Sequence, residues 1–170
     1  MTGDRPLYPL VLIGPMGAGK TRIGRRVAKA LDVPFLDTDK MVVAEHGPIP
    51  EIFESRGETV FRELERDAVA QALTEPAVVS LGGGAVLDPL TRKALSAATV
   101  VLLTVTADAV AARINTSKRP LLKNGTADWQ RIYDERREIY ESLATITFDT
   151  SREPIEKIAE NIATWAKGRS

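Results

Sequence analysis

Short apolar runs alternate with longer amphipathic stretches along the chain. Leu10–Ile13 is an unbroken apolar run of strand length, and Thr21–Leu31 follows with Ile23, Val27, Ala28 and Leu31 on one helical face. Pro34–Leu36 is a short apolar stretch ending at Asp37. Helical signals fill the region from Lys40 to Leu73, broken near Gly47-Pro48 and at Gly57. Val78–Leu81 reads as a strand running into Gly82-Gly83-Gly84. A helix is predicted to start after Asp88-Pro89, because Asp suits the cap and Pro the first turn. Thr99–Val105, rich in β-branched residues, is the clearest strand. Asp108–Ile114 and Ala127–Leu143 are predicted helical on either side of a polar, basic stretch, Asn115–Gly125. Ile146–Phe148 makes a last strand, and Pro154–Trp165 a terminal helix with Ile155, Ile158, Ala159 and Ile162 inward.

Five strands alternating with helices predict an α/β fold with a parallel sheet covered on both faces. Such sheets place ligands at the C-terminal ends of their strands. Three of those ends carry unusual residues: Gly14 onward, Asp37-Thr38-Asp39, and the triple glycine at Gly82. No repeat or linker divides the chain, and 170 residues suit a single domain, 1–170.

Composition narrows the chemistry. With no Cys and one His (His46), disulfides, thiolate nucleophiles and His- or Cys-rich metal sites are excluded. His46 itself reads as a surface residue at a helix end. What remains is chemistry run on carboxylates, hydroxyls, Lys, Arg, backbone amides and a hard metal ion. The 23 Lys plus Arg balance 23 Asp plus Glu, which argues against a generally basic nucleic-acid binder. Arg outnumbers Lys, 15 to 8. No apolar run approaches the ~20 residues of a membrane helix, and the N-terminal segment is unlike a signal peptide. A cytoplasmic protein is expected. No long apolar surface stripe is left over once the core is assigned, so a monomer is expected too.

Gly14-Pro-Met-Gly-Ala-Gly-Lys20-Thr21 matches G-x-x-x-x-G-K-[ST], between a strand and a helix. There the glycines let backbone amides wrap a phosphate at a positive helix end. Lys20 reaches the β- and γ-phosphates, and the Thr21 hydroxyl sits on Mg²⁺. A glycine-rich turn alone would need neither the Lys nor the hydroxyl. No N-K-x-D guanine-reading motif is present, and the chain is small for a motor or transporter ATPase. A small-molecule kinase is what remains.

Asp37 and Asp39 end the second strand, where one carboxylate can face a metal and the other an acceptor hydroxyl, although Asp39 or Thr38 could instead simply cap the next helix. Arg62 has Glu65 three residues on, the spacing of an exposed helical ion pair. Three consecutive glycines cost conformational entropy and make most sense where bare backbone must approach a ligand. Arg119-Pro120-Leu-Leu and Arg136, taken singly, read as surface charges.

Taken as a set, Gly14–Thr21, Asp37–Asp39, Phe61–Glu65, Gly82–Gly84, Arg119–Leu122 and Arg136–Tyr140 resemble the marks of shikimate kinases, in order and spacing along nearly the whole chain. The resemblance implies a P-loop, nucleoside-monophosphate-kinase-like three-layer sandwich with a five-stranded parallel sheet flanked by helices. It implies transfer of the ATP γ-phosphoryl group to the 3-hydroxyl of shikimate, with Mg²⁺ as cofactor, on the route to chorismate and the aromatic amino acids. It puts Asp39 on the acceptor hydroxyls, Arg62 and Arg136 on the shikimate carboxylate, and the backbone of Gly82, Gly83 and Gly84 at the acceptor pocket. Arg119 would sit on a lid at about 115–126 and close over the transferring phosphoryl group. The acceptor-binding helices would span about 38–65. Gly17, Ala18, Gly19, Lys20 and Thr21 would hold the phosphates, Thr21 and Asp37 the metal, and Arg113 and Arg152 the adenine side.

The physics of phosphoryl transfer agrees with that division, since it needs alignment and charge neutralisation more than covalent help. Two local features depart from the family pattern. His46-Gly-Pro48-Ile-Pro50 carries two prolines expected to stiffen the link between acceptor-side helices, and the lid is compact. Two other readings remain open: another small-molecule kinase such as a gluconate kinase, and a nucleotide-binding module without chemistry. The paired arginines favour a carboxylate-bearing acceptor over the first, and the completeness of the catalytic set argues against the second.

Overall fold

The computed structural model describes residues 7–117 and 126–169. The chain runs β1 (Leu10–Ile13), α1 (Lys20–Leu31), β2 (Phe35–Asp37), α2 (Thr38–His46), α3 (Ile49–Ala72), β3 (Val78–Ser80), α4 (Pro89–Leu95), β4 (Thr99–Thr104), α5 (Ala107–Ser117), α6 (Thr126–Leu143), β5 (Ile146–Asp149) and α7 (Ile155–Lys167), with a 3₁₀ turn at Ala85–Leu87. All strand pairings are parallel, in the order β2-β3-β1-β4-β5.

Alternation explains why the central strands are apolar throughout. Leu10 and Leu12 of β1, with Val101 and Leu103 of β4, enter one core under α1, α5 and α7. Val11 and Ile13, with Val100 and Leu102, enter a second core against α3, α4 and α6. A strand buried on both faces must be apolar at every position. Truncating one of these leucines to Ala would cost about 2–5 kcal/mol. The inward faces of α1 and α7 are those the periodicity predicts: Ile23, Val27 and Ala28 on one, Ile158, Ala159 and Ile162 on the other. Leu31 and Ile155 are only half-buried at the margins of those faces. A third, smaller cluster, Val42, Ile52, Phe61 and Ala68, holds α2 against α3 beside the sheet.

The predicted breaks hold. Gly47 ends α2, and Gly57 leaves helical geometry inside α3, so that α3 bends there. Pro48 and Pro50 stand at the start of α3, where their missing N–H groups cost nothing. Asp88 caps α4, accepting from the backbone N–H of Leu90 at 2.8 Å and Thr91 at 3.3 Å.

Several boundaries differ from the sequence reading. Helix α2 begins at Thr38 rather than Lys40, because Asp37 closes β2 and also caps the helix, accepting from Lys40 N–H at 3.2 Å. The cap is therefore Asp37, not Asp39 or Thr38. Helix α5 runs to Ser117 and α6 starts at Thr126, so the ends of the expected lid are helical. Nothing before Pro120 forces α5 to stop. Arg119 and the rest of that lid lie outside the described residues. No helix among the described residues is long and apolar enough to cross a membrane.

This topology creates a crevice. After β1 the chain crosses to one side, toward β2; after β3 it crosses to the other, toward β4. Adjacent strands whose connections diverge leave an opening at their C-terminal ends. The Gly14–Thr21 loop leaves β1 there, and the triple glycine leaves β3.

Candidate active site

Steric necessity shapes the loop after β1. A side chain on Gly14 would place its Cβ 2.3 Å from the Leu103 carbonyl oxygen, so the loop hugs the edge of β4. Gly19 takes φ of 88° and lets α1 start at Lys20. The carbonyls from residue 14 to 17 each accept from a side-chain donor. Lys20 Nζ donates to Gly14 O at 2.7 Å and Pro15 O at 3.0 Å. Trp129 Nε1 donates to Met16 O at 2.7 Å, and the Arg113 guanidinium donates to Gly17 O.

Arg113 also donates to the Thr150 hydroxyl and carbonyl, and so ties the phosphate loop to the turn after β5. Its burial lowers its affinity for a proton, which Asp149 partly offsets. Arg152 is exposed in the same turn. Thr21 Oγ1 donates to Asp37 Oδ2 at 3.1 Å, bringing one hydroxyl and one carboxylate together at the mouth of the loop. Among the described residues there is no cluster of three or more His, Asp or Glu able to enclose a metal ion. A hydroxyl–carboxylate pair is nonetheless the hard-oxygen donor set that Mg²⁺ takes when phosphates and waters complete its shell.

The acceptor side is built on the glycines. A Cβ at Gly82 would lie 2.6 Å from Asp39 Oδ1; at Gly84, 2.6 Å from Arg62 Nη1; at Gly83, 3.5 Å from Arg136 Nη1. Each glycine therefore underlies one candidate side chain, and at 82 and 84 any larger residue would displace it. Thr38, between the two aspartates, donates its hydroxyl to Ser80 O and accepts from Gly82 N–H, both at 3.4 Å, fixing the start of this loop. Tyr140 OH donates to Gly83 O at 2.6 Å.

Arg62 pairs with Glu65 at 2.8 Å and, more loosely, with Glu58 at 3.7 Å. The pair with Glu65 is not the exposed pairing its spacing suggested, because Glu65 is buried. Burial pushes the Glu65 carboxyl up, against the pull of Arg62. Asp39 is also pushed up, first by burial and then by Asp37, with Lys20 and Arg62 pulling the other way. Elevated carboxyls beside cations in a cleft mark a candidate functional site.

One cavity of about 650 Å³ contains both halves, from Gly17, Lys20 and Thr21 to Asp39, Arg62, Gly82–Gly84 and Arg136. Its apolar wall includes Ile49 and the tilted rings of Phe53 and Phe61, whose centres are 4.8 Å apart. Such a cavity can hold an anionic polyphosphate at one end and a compact carboxylate-bearing polyol at the other. Sequence reasoning did not single out Trp129, and it took Thr38 only as a possible cap and Phe61 only as part of a motif. The spacing of Trp129, Tyr133, Arg136 and Tyr140 on one face of α6 was the available signal for the first.

The comparisons with known proteins agree with this geometry. The family model described as shikimate kinase matches residues 16–167. A shikimate kinase of Thermobifida fusca is 45% identical over 164 residues, covering 94% of each chain. One from Mycobacterium avium is 46% identical over 147 residues, covering 84% of each. The solved structure of Acinetobacter baumannii shikimate kinase in complex with shikimate superposes with a TM-score of 0.87 at 31% identity, over 95% of this chain and 93% of that one.

Proposed function

The chain belongs to the shikimate kinase family, and from that premise we propose that its cavity moves the γ-phosphoryl group of ATP to the 3-hydroxyl of shikimate, serving chorismate synthesis in the cytoplasm. The observation that carries this reading is the stacking of Asp39, Arg136 and Arg62 on the bare backbone of Gly82–Gly84, in the same cavity as Lys20. Two guanidiniums suit a planar carboxylate through forked hydrogen bonds. Asp39 between Lys20 and the glycine loop suits an acceptor hydroxyl, which it would orient and whose proton it would take as the bond to phosphorus forms.

The phosphates rest on Gly17, Ala18, Gly19, Lys20 and Thr21 in this reading, and the amides at the start of α1 face their charge. Thr21 and Asp37 would hold Mg²⁺, which supplies charge neutralisation on the phosphate oxygens. Arg119 would balance the charge of the transferring group, while Arg113 and Arg152 border the nucleotide from the α5 and β5–α7 side. Exclusion of water from the acceptor during transfer would keep it from competing for the phosphoryl group. The reading keeps the monomer expected from the sequence.

Arg136→Ala tests the assignment. Losing one charge-assisted contact to the carboxylate should raise the KM for shikimate about 30- to 1000-fold while leaving that for ATP nearly unchanged. A rise confined to ATP would remove Arg136 from the acceptor.

A further inference from the structure

Helix α6 touches both halves of the site with one face. Trp129, Tyr133, Arg136 and Tyr140 follow one another at spacings of four, three and four, which aligns them in a single stripe. At one end Trp129, 3% exposed, donates to the Met16 carbonyl of the phosphate loop at 2.7 Å. At the other Tyr140, 1% exposed, donates to the Gly83 carbonyl of the glycine loop at 2.6 Å. Tyr133 bridges them, its ring 5.2 Å from that of Trp129 and 6.3 Å from that of Tyr140. Arg136 stands between, over Gly83.

Core filling does not require these donors. Leu or Phe would bury as much carbon without a polar group, and a buried indole or phenol lacking an acceptor would carry a desolvation cost. In a trans peptide the carbonyl and the following N–H point in opposite directions. Holding the Met16 carbonyl from α6 therefore fixes the direction of the Gly17 N–H, in the loop that receives the phosphates. Holding the Gly83 carbonyl likewise fixes the Gly84 N–H, on the acceptor side beside Arg62.

We propose that α6 is a two-ended positioning strut: Trp129 sets the phosphate loop for the nucleotide through the Met16 carbonyl, and Tyr140 sets the acceptor end through the Gly83 carbonyl and its hydrogen bond with the Arg136 side chain. The inference rests on the phosphotransfer reading above and adds two positioning residues to it. A purely structural role would weaken both substrates together when either residue is changed. A strut with separate ends predicts opposite effects from its two ends.

The experiment compares the unmodified protein with Trp129→Phe and Tyr140→Phe, measuring ADP affinity by calorimetry without shikimate, the KM of each substrate, and the melting temperature. Trp129→Phe should weaken ADP binding and raise the KM for ATP about fivefold to tenfold, the effect of one net hydrogen bond, and leave the KM for shikimate unchanged. Tyr140→Phe should do the reverse. Should Trp129→Phe fail to fold, benzothienylalanine at position 129 keeps the two-ring volume, removes only the N–H, and carries the same expectation. Unchanged ADP affinity in a folded Trp129 variant, or equal weakening of both substrates by each change, overturns the proposal. An unmodified protein that binds no ADP overturns the phosphotransfer reading instead.

Discussion

The Arg62 guanidinium donates to Glu65 Oε1 at 2.8 Å, and Glu65 is 3% exposed. The carboxylate thus holds from below the side chain proposed to meet the substrate carboxylate. Removing one partner of such a buried pair is far more damaging than its net contribution suggests, because the other is left uncompensated. Glu65→Gln keeps the shape but removes the charge. Steady-state kinetics should show the KM for shikimate raised about tenfold or more, with the KM for ATP unchanged. Equal changes in both would mean that Glu65 supports the fold rather than the fork.

The glycine loop gives a second prediction. Gly84→Ala brings a methyl group to 2.6 Å from Arg62 Nη1, and Gly82→Ala brings one to 2.6 Å from Asp39 Oδ1. Both neighbours are side-chain ends that can swing away, so the fold should survive with little change in melting temperature. The displaced groups should not function: Gly84→Ala should act mainly on the KM for shikimate, and Gly82→Ala mainly on kcat. Wild-type kinetics in either variant would show that the glycines serve only the turn.

Asp39 couples activity to pH and stability in opposite senses. Burial and the neighbouring Asp37 raise its pKa. At neutral pH the ionised carboxylate is therefore less favourable in the folded chain than in the unfolded one. Asp39→Asn should remove that penalty and raise the Tm near pH 7, while cutting turnover by about 100-fold or more. The Tm advantage should shrink as pH falls from the raised pKa toward the ordinary carboxylate value, where Asp39 takes up its proton in both states. The acid limb of kcat/KM in the unmodified protein should lie above the ordinary carboxylate range. Melting curves that give the variant no advantage at neutral pH would contradict the burial argument.

Much of this was legible in the sequence because it depends on backbone necessity. The apolar run Leu10–Ile13 and the β-branched run Thr99–Val105 read as strands buried on both faces, and Gly14 to Thr21 follows the pattern of a loop between a strand and a helix. What escaped depends on where side chains end. Arg62 and Glu65 read as an exposed helical pair because i,i+3 spacing says nothing of which face the cavity takes. Asp37 caps α2 while also accepting from Thr21, a double use that no spacing rule separates. Trp129 belongs to no sequence motif, and only the tertiary fold brings its N–H to Met16, 113 residues earlier in the chain. Helix α5 runs past the predicted end at Ile114 because propagation through Asn115, Thr116 and Ser117 meets no breaker.

The central claim is tested most directly by following ADP release from the purified protein supplied with ATP and Mg²⁺, first alone, then with shikimate, then with gluconate. The account predicts ADP formation that depends on shikimate, yields shikimate 3-phosphate in equal amount, and is negligible with gluconate or with no acceptor. Equal or faster turnover of gluconate, or nucleotide binding with no shikimate-dependent ADP release, would contradict it.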